Sequence, residues 1–408
     1  MPLSESDKLS IPVAVNQGLP PSMASWPSRE LLTSAKPQES VPRADTSWRE
    51  IIHAAVTAGK PLELPHAFDG PSAFSELMIR LHSLCSTLGK GLDDDGIPAL
   101  KPSAWTTCSA DPSERRAASY RLGMTLAHWL WGYHLGHFGT HHVDVKFKND
   151  VKIRGKGNQK SADLYGWTSG PPRVPWLLEA KASILAPRVQ PGTREHAWKQ
   201  LRAAEKRGWE LPHGQMLVSA TAVPLLHLVV DVALPPGSSD SPFSIPENST
   251  PRRRPARADI PEIVAAYIVE RFLLETALDY LPVVQSGRLR TVGDSRIVDI
   301  PHLDLAVGLR EPAWHDLLNP SETYHELKAS YRSTVNHGVA LKDFVETHVA
   351  ERLPRESDED MDFWEAVVIG NNDFKLDLVE DDLYRFVISD PAGVVVMLGR
   401  SWATEAEA

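Results

Sequence analysis

The segment Val174-Pro175-Trp176-Leu177-Leu178-Glu179-Ala180-Lys181-Ala182-Ser183 constrains the fold more than any other part of the chain. Its unbroken apolar lead-in, Trp176-Leu177-Leu178, suits a central strand buried on both faces. Such a strand needs neighbours to pair its backbone and helices to cover its faces, so it predicts an α/β architecture. Its far end then turns charged. In a strand, alternate side chains share a face, so Glu179 and Lys181 project together, with only small Ala180 and Ala182 between and beyond them.

A neighbouring strand is predicted over Ser161–Trp167, which would set Asp163 beside Glu179. A helix is predicted before it. Asp111 suits an N-cap, Pro112 the first turn and Glu114 the capping-box position, while Ala118, Leu122, Leu126 and Leu130 form an apolar stripe to about Leu135. Short strands are predicted at His142–Phe147 and Val151–Arg154, and a second helix from Thr193 to near Gly208. Strands at Gln215–Ala220 and Leu226–Leu234 complete the unit.

Within this order Ser161-Ala162-Asp163 is followed, after fifteen residues, by Glu179-Ala180-Lys181. Over residues 112–234 this arrangement resembles the PD-(D/E)XK nuclease superfamily. It departs from the pattern in having Ala162, not proline, before Asp163. The resemblance implies a restriction-endonuclease-like core, a mixed sheet flanked by helices, that hydrolyses phosphodiester bonds in DNA. It implies Asp163 and Glu179 as ligands of Mg²⁺ (Mn²⁺ substituting), the Ala180 carbonyl as a further ligand, and Lys181 as the catalytic cation. Paired carboxylates suit a hard, water-retaining ion, which activates water and neutralises phosphate charge. A role in bacterial defence or DNA processing, with a homodimer or a defence-system partner protein, follows from the same analogy. The alternative is a nuclease fold serving as a nucleic-acid-binding or regulatory subunit.

The family also suggests Glu114 as a metal ligand and Gln200, beside Lys199 on the second helix, as a group facing the site. The competing roles are a capping box for Glu114 and an exposed amide for Gln200. Residues 144–160 carry Lys146, Lys148, Lys152, Arg154, Lys156 and Lys160 against only Asp144 and Asp150, a surplus suited to phosphate contact. His134, His137, His141 and His142 lack a Cys or carboxylate partner at fixed spacing and are expected to be loop or helix-end residues. Gly155-Lys156-Gly157-Asn158-Gln159-Lys160 does not match a phosphate loop, and no G-x-S-x-G elbow occurs.

At 408 residues the chain is long enough for two or three domains. Residues 1–47, rich in Pro and Ser, are expected to be a disordered leader, and 48–110 a helical region with a loop from Gly91 to Cys108. The nuclease core spans 111–235, a linker 236–259 carrying Arg252-Arg253-Arg254, and a separate α+β C-terminal domain 260–408. The Asp93-Asp94-Asp95 run reads as solvated surface. A net charge of -10 excludes a uniformly basic nucleic-acid coat but not a local patch. Cys85 and Cys108 are too few for a disulfide framework. No signal peptide or membrane span is expected, which points to the cytoplasm.

Overall fold

The structure is a computed structural model that describes residues 8–17, 43–58, 69–92, 96, 98–135, 140–142, 162–167, 175–184, 189–205, 216–222, 227–232, 271–280, 289–311, 325, 329, 384–390 and 393–402. It is mixed α/β. Among these residues no helix is long and apolar enough to cross a membrane.

The larger sheet has seven strands. β5 (His141–His142), β6 (Leu164–Trp167) and β7 (Pro175–Ser183) form an antiparallel meander. β8 (Met216–Ala222) returns parallel to β7, and β9 (His227–Val232) pairs antiparallel to β8. The return is made by a helix, as a parallel crossover requires. β1 (Lys8–Gln17) adds parallel to β9, and β2 (Arg43–Ser47) closes the edge. The expected disordered leader is therefore corrected, since two of its segments are strands. Leu9, Ile11, Val13 and Val15 alternate along β1, and Leu9, Ile11 and Val13 are buried. Pro12, which has no amide to donate, sits where β1 hands over from β2 to β9.

Among the described residues four helices pack on this sheet or beside it, α1 (Trp48–Thr57), α2 (Gly70–Thr87), α3 (Pro112–Trp129) and α4 (Pro191–Glu205), and a fifth, α5 (271–280), packs against α2 through Tyr280 and Phe74. α3 starts as expected. The Asp111 carboxylate accepts from the amides of Ser113 and Glu114, and Glu114 reaches back to the Asp111 amide at 2.9 Å. It ends in a π turn, Leu130–His134. α4 begins at Pro191, two residues before the expected cap. The expected loop after Gly91 instead contains β4 (Pro98–Pro102), paired with β3 (Leu88–Leu92), and a π turn, Trp105–Ser109.

A second sheet has the order β10 (Leu289–Val292), β11 (Ser295–Ile300), β12 (Leu305–Leu309), β14 (Val394–Gly399), β13 (Tyr384–Ser389). In a flat sheet its edge strands would lie about 19 Å apart, four strand spacings. Yet Arg290 of β10 lies 5.6 Å over the ring of Tyr384 on β13. Asp299 of β11 accepts from Arg290 at 2.9 and 3.0 Å and from the Tyr384 hydroxyl at 2.7 Å. The sheet therefore curls until its edges meet, around a small core of Ile297, Ala306, Tyr384, Val387, Val395 and Met397.

Its outer face, including Val298, Ile300, Val307, Val394 and Val396, joins the main core. α1 lies between α3 and this sheet and is buried almost all round. Trp48 packs edge-on against Trp402 at 5.1 Å, and His53 Nε2 donates to the Val394 carbonyl at 3.1 Å. Among the described residues one apolar core runs from Leu9 to Trp402, across both sheets.

Candidate active site

β6 and β7 pair in the register Leu164 to Leu178, so the next residues along, Asp163 and Glu179, face each other just beyond the ladder. Their carboxylates replace the missing ladder bonds. Glu179 Oε2 accepts from the Asp163 amide at 3.2 Å, and Asp163 Oδ2 accepts from the Ala180 amide at 3.1 Å. This reciprocal pair fixes the Glu179 carboxylate on β7 and the Asp163 carboxylate just before β6.

Lys181 completes the group. Its ammonium donates to Glu179 Oε1 and, at 3.2 Å, to the Ala180 carbonyl, and lies 3.6 Å from Asp163 Oδ2. Glu179 is fully buried, whereas Lys181 and Asp163 keep side-chain exposures of 22% and 15%. The site thus opens to solvent on the lysine and aspartate side. Burial pushes the Glu179 carboxyl well above the usual carboxylate range, repulsion from Asp163 adds to this, and Lys181 opposes it. A buried carboxylate beside a second one needs a cation, and here the Lys181 ammonium supplies that charge.

The chemistry of the donor set fits Mg²⁺. Two carboxylates and a backbone carbonyl converge on one cationic group, and Mg²⁺ takes hard oxygens, often one or two carboxylates plus substrate phosphate. Among the described residues no group of three or more His, Cys, Asp or Glu side chains is placed to hold a metal. The fit therefore rests on Asp163, Glu179 and the Ala180 carbonyl.

Glu114 does not join this group. α3 runs antiparallel to β7, with Ser119 accepting from the Ile184 amide at 3.3 Å and Gly123 against Lys181 and Ala182. At about 1.5 Å per helical residue and 3.3 Å per strand residue, Glu114 lies on the order of 20 Å from Glu179. α3 also covers the face of β7 that carries Ala182, opposite the face of Glu179 and Lys181. The metal-ligand expectation for Glu114 is corrected in favour of the capping box.

Gln200 is buried on α4 together with Arg194, Ala197, Trp198 and Leu201, so the expected exposed amide is excluded. α4 packs on β7 and β8, which places Gln200 in the layer against the site strands. Lys146, Lys148, Lys152, Arg154, Lys156 and Lys160 lie outside the described residues, as do Asp93, Asp94, Asp95, His137 and Arg252 to Arg254. His134 stacks on Trp129 with ring centroids 5.7 Å apart, a helix-end packing role.

Sequence reasoning missed Gly123. A β-carbon there would stand 3.3 Å from the Lys181 carbonyl carbon and the Ala182 nitrogen. The signal was a glycine inside an otherwise strong helix, which costs about 1 kcal/mol relative to alanine and so implies a close approach.

Compared with known protein families, curated proteins and solved structures, the chain matches none.

Proposed function

We propose that the chain is a metal-dependent nuclease that hydrolyses phosphodiester bonds in DNA. The observation that carries this is the convergence of Asp163, Glu179, the Ala180 carbonyl and Lys181 on adjoining strands. Support comes also from the order of elements: helix α3, an antiparallel meander, helix α4, then a strand parallel to β7. That order resembles the one expected of a PD-(D/E)XK core.

Bound Mg²⁺ supplies an activated water and neutralises charge on the scissile phosphate. The chain's own part is preorganisation. Asp163 and Glu179 are held by backbone amides, so little geometry has to be gained during the reaction. Lys181 presents an ammonium on the solvent-facing side, where it stabilises negative charge on the phosphate as the water oxygen bonds to phosphorus and the P–O bond breaks. Gln200, in the layer against β7, is assigned to positioning this face of the site. The family analogy extends to bacterial defence against foreign DNA, with a second copy or a defence-system protein as partner.

The test is cleavage of plasmid and linear DNA with Mg²⁺ or Mn²⁺, with and without chelator, by the wild type and by Glu179→Ala and Lys181→Ala. The proposal expects wild-type cutting that chelator and both substitutions abolish. Undiminished cutting by both variants contradicts it. An inert wild type that still binds DNA favours the binding or regulatory subunit.

A further inference from the structure

We propose that His82 and His302 form a surface site for one divalent transition-metal ion of the zinc, nickel or copper class. The site does not depend on the nuclease reading, because it lies on other elements. His82 stands on α2, and His302 on the 3₁₀ turn Pro301–Leu303 that links β11 to β12. The two residues are 220 positions apart, yet their Nε2 atoms are hydrogen-bonded at 3.1 Å, one nitrogen donating to the other.

That separation is the bite a metal needs. With metal–nitrogen bonds of about 2.0–2.1 Å and angles between right and tetrahedral, two ligating nitrogens stand roughly 2.9–3.4 Å apart. The rings are nearly parallel, with planes 16° apart and centroids 5.0 Å apart. Both side chains are exposed, and an ion would replace the hydrogen bond once the donor ring moves its proton to Nδ1, each ring then turning an Nε2 lone pair toward the ion.

The backbones beneath them are fixed. His82 lies inside an 18-residue helix. The turn around His302 is held by four contacts: the Asp304 amide to the Pro301 carbonyl, the Gly399 amide to the Asp304 carbonyl, the Ser401 amide to the Asp304 carboxylate, and the Trp402 indole to the Leu303 carbonyl. Little ordering is left for the ion to impose. Neutral imidazole is the ligating form. Two imidazoles also discriminate against Mg²⁺ and Ca²⁺, which prefer oxygen. A bound ion would fasten α2 to the C-terminal sheet.

The test is calorimetric titration of the full chain with Zn²⁺ in excess Mg²⁺, alongside His82→Gln and His302→Gln. The expected result is one micromolar zinc site in the wild type. Each variant should weaken it by at least about tenfold, since loss of an outer-shell partner alone typically costs that much. Zinc should also raise the melting temperature of the wild type and not of the variants. Both side chains are exposed, so the variants retain the fold, which circular dichroism checks. Equal zinc affinity in wild type and variants, or no micromolar site in the wild type, overturns the proposal.

Discussion

The contact between Glu179 and Lys181 could be read from the sequence because a strand has a period of two, and period alone puts both side chains on one face. Asp163 needed only a neighbouring strand in register. Glu114 was ambiguous, since a capping residue and a metal ligand have the same chemistry, and only the direction of α3 against β7 separates them. Accordingly, Glu114→Gln should lower the melting temperature slightly and leave DNA cleavage unchanged, measured side by side. The buried histidine His53 was not legible as such. Its Nδ1 accepts from the Tyr133 hydroxyl, and its Nε2 donates to Val394 across the molecule. Asp390 lies 3.7 Å away, beyond hydrogen-bond distance, so burial dominates and lowers the His53 pKa from 6.5 to about 4. The folded value lies below the unfolded one, so the unfolded chain takes the proton first. Stability should therefore fall as pH drops from about 6.5 to about 4, by about 3 kcal/mol in total. Urea unfolding at several pH values, compared with His53→Gln, checks this; the variant should lose that part of the pH dependence.

At the scale of elements, α3, β6, β7, α4, β8 and β9 follow the expected order because their periodicities are strong and their stops clear. β1 escaped notice because its alternating Leu9, Ile11 and Val13 lie amid Pro- and Ser-rich sequence, and composition outweighed pattern. β10, β11 and β12 were missed as well, being short strands joined by tight turns. The packing of α3 on β7 depends on Gly123. Gly123→Ala should be nearly neutral in stability, because a helix-propensity gain of about 1 kcal/mol offsets the tight contact. Gly123→Val should cost about 1–3 kcal/mol by overpacking and slow cleavage by shifting the strand of Lys181, as denaturation and rate measurements would show. In the second sheet, Asp299 ties the two edges together. Asp299→Ala should loosen that seam and destabilise the protein by about 2 kcal/mol, measured by urea unfolding.

Across the whole molecule, the apolar core is continuous between the two sheets, with α1 as the shared layer. The sequence carries no local sign of this, because the contact between His53 and Val394 spans 341 residues. Thermal unfolding should therefore show one cooperative transition by calorimetry, and removal of residues 260–408 should leave a chain without a stable α1–α3 layer. Two separate transitions would contradict the single core. The site belongs to this larger body, since α3, which braces β7 from behind, is itself braced by α1. The central claim is that Asp163, Glu179 and Lys181 act as one hydrolytic unit. Its most direct test is the single-turnover rate of DNA cleavage for Asp163→Ala, Glu179→Ala and the double variant, with DNA binding measured in parallel. Each single substitution should slow cleavage by about a thousandfold, and the double variant should be hardly slower than either, as expected of groups that work together. Rates within tenfold of wild type for variants that still bind DNA would contradict the account.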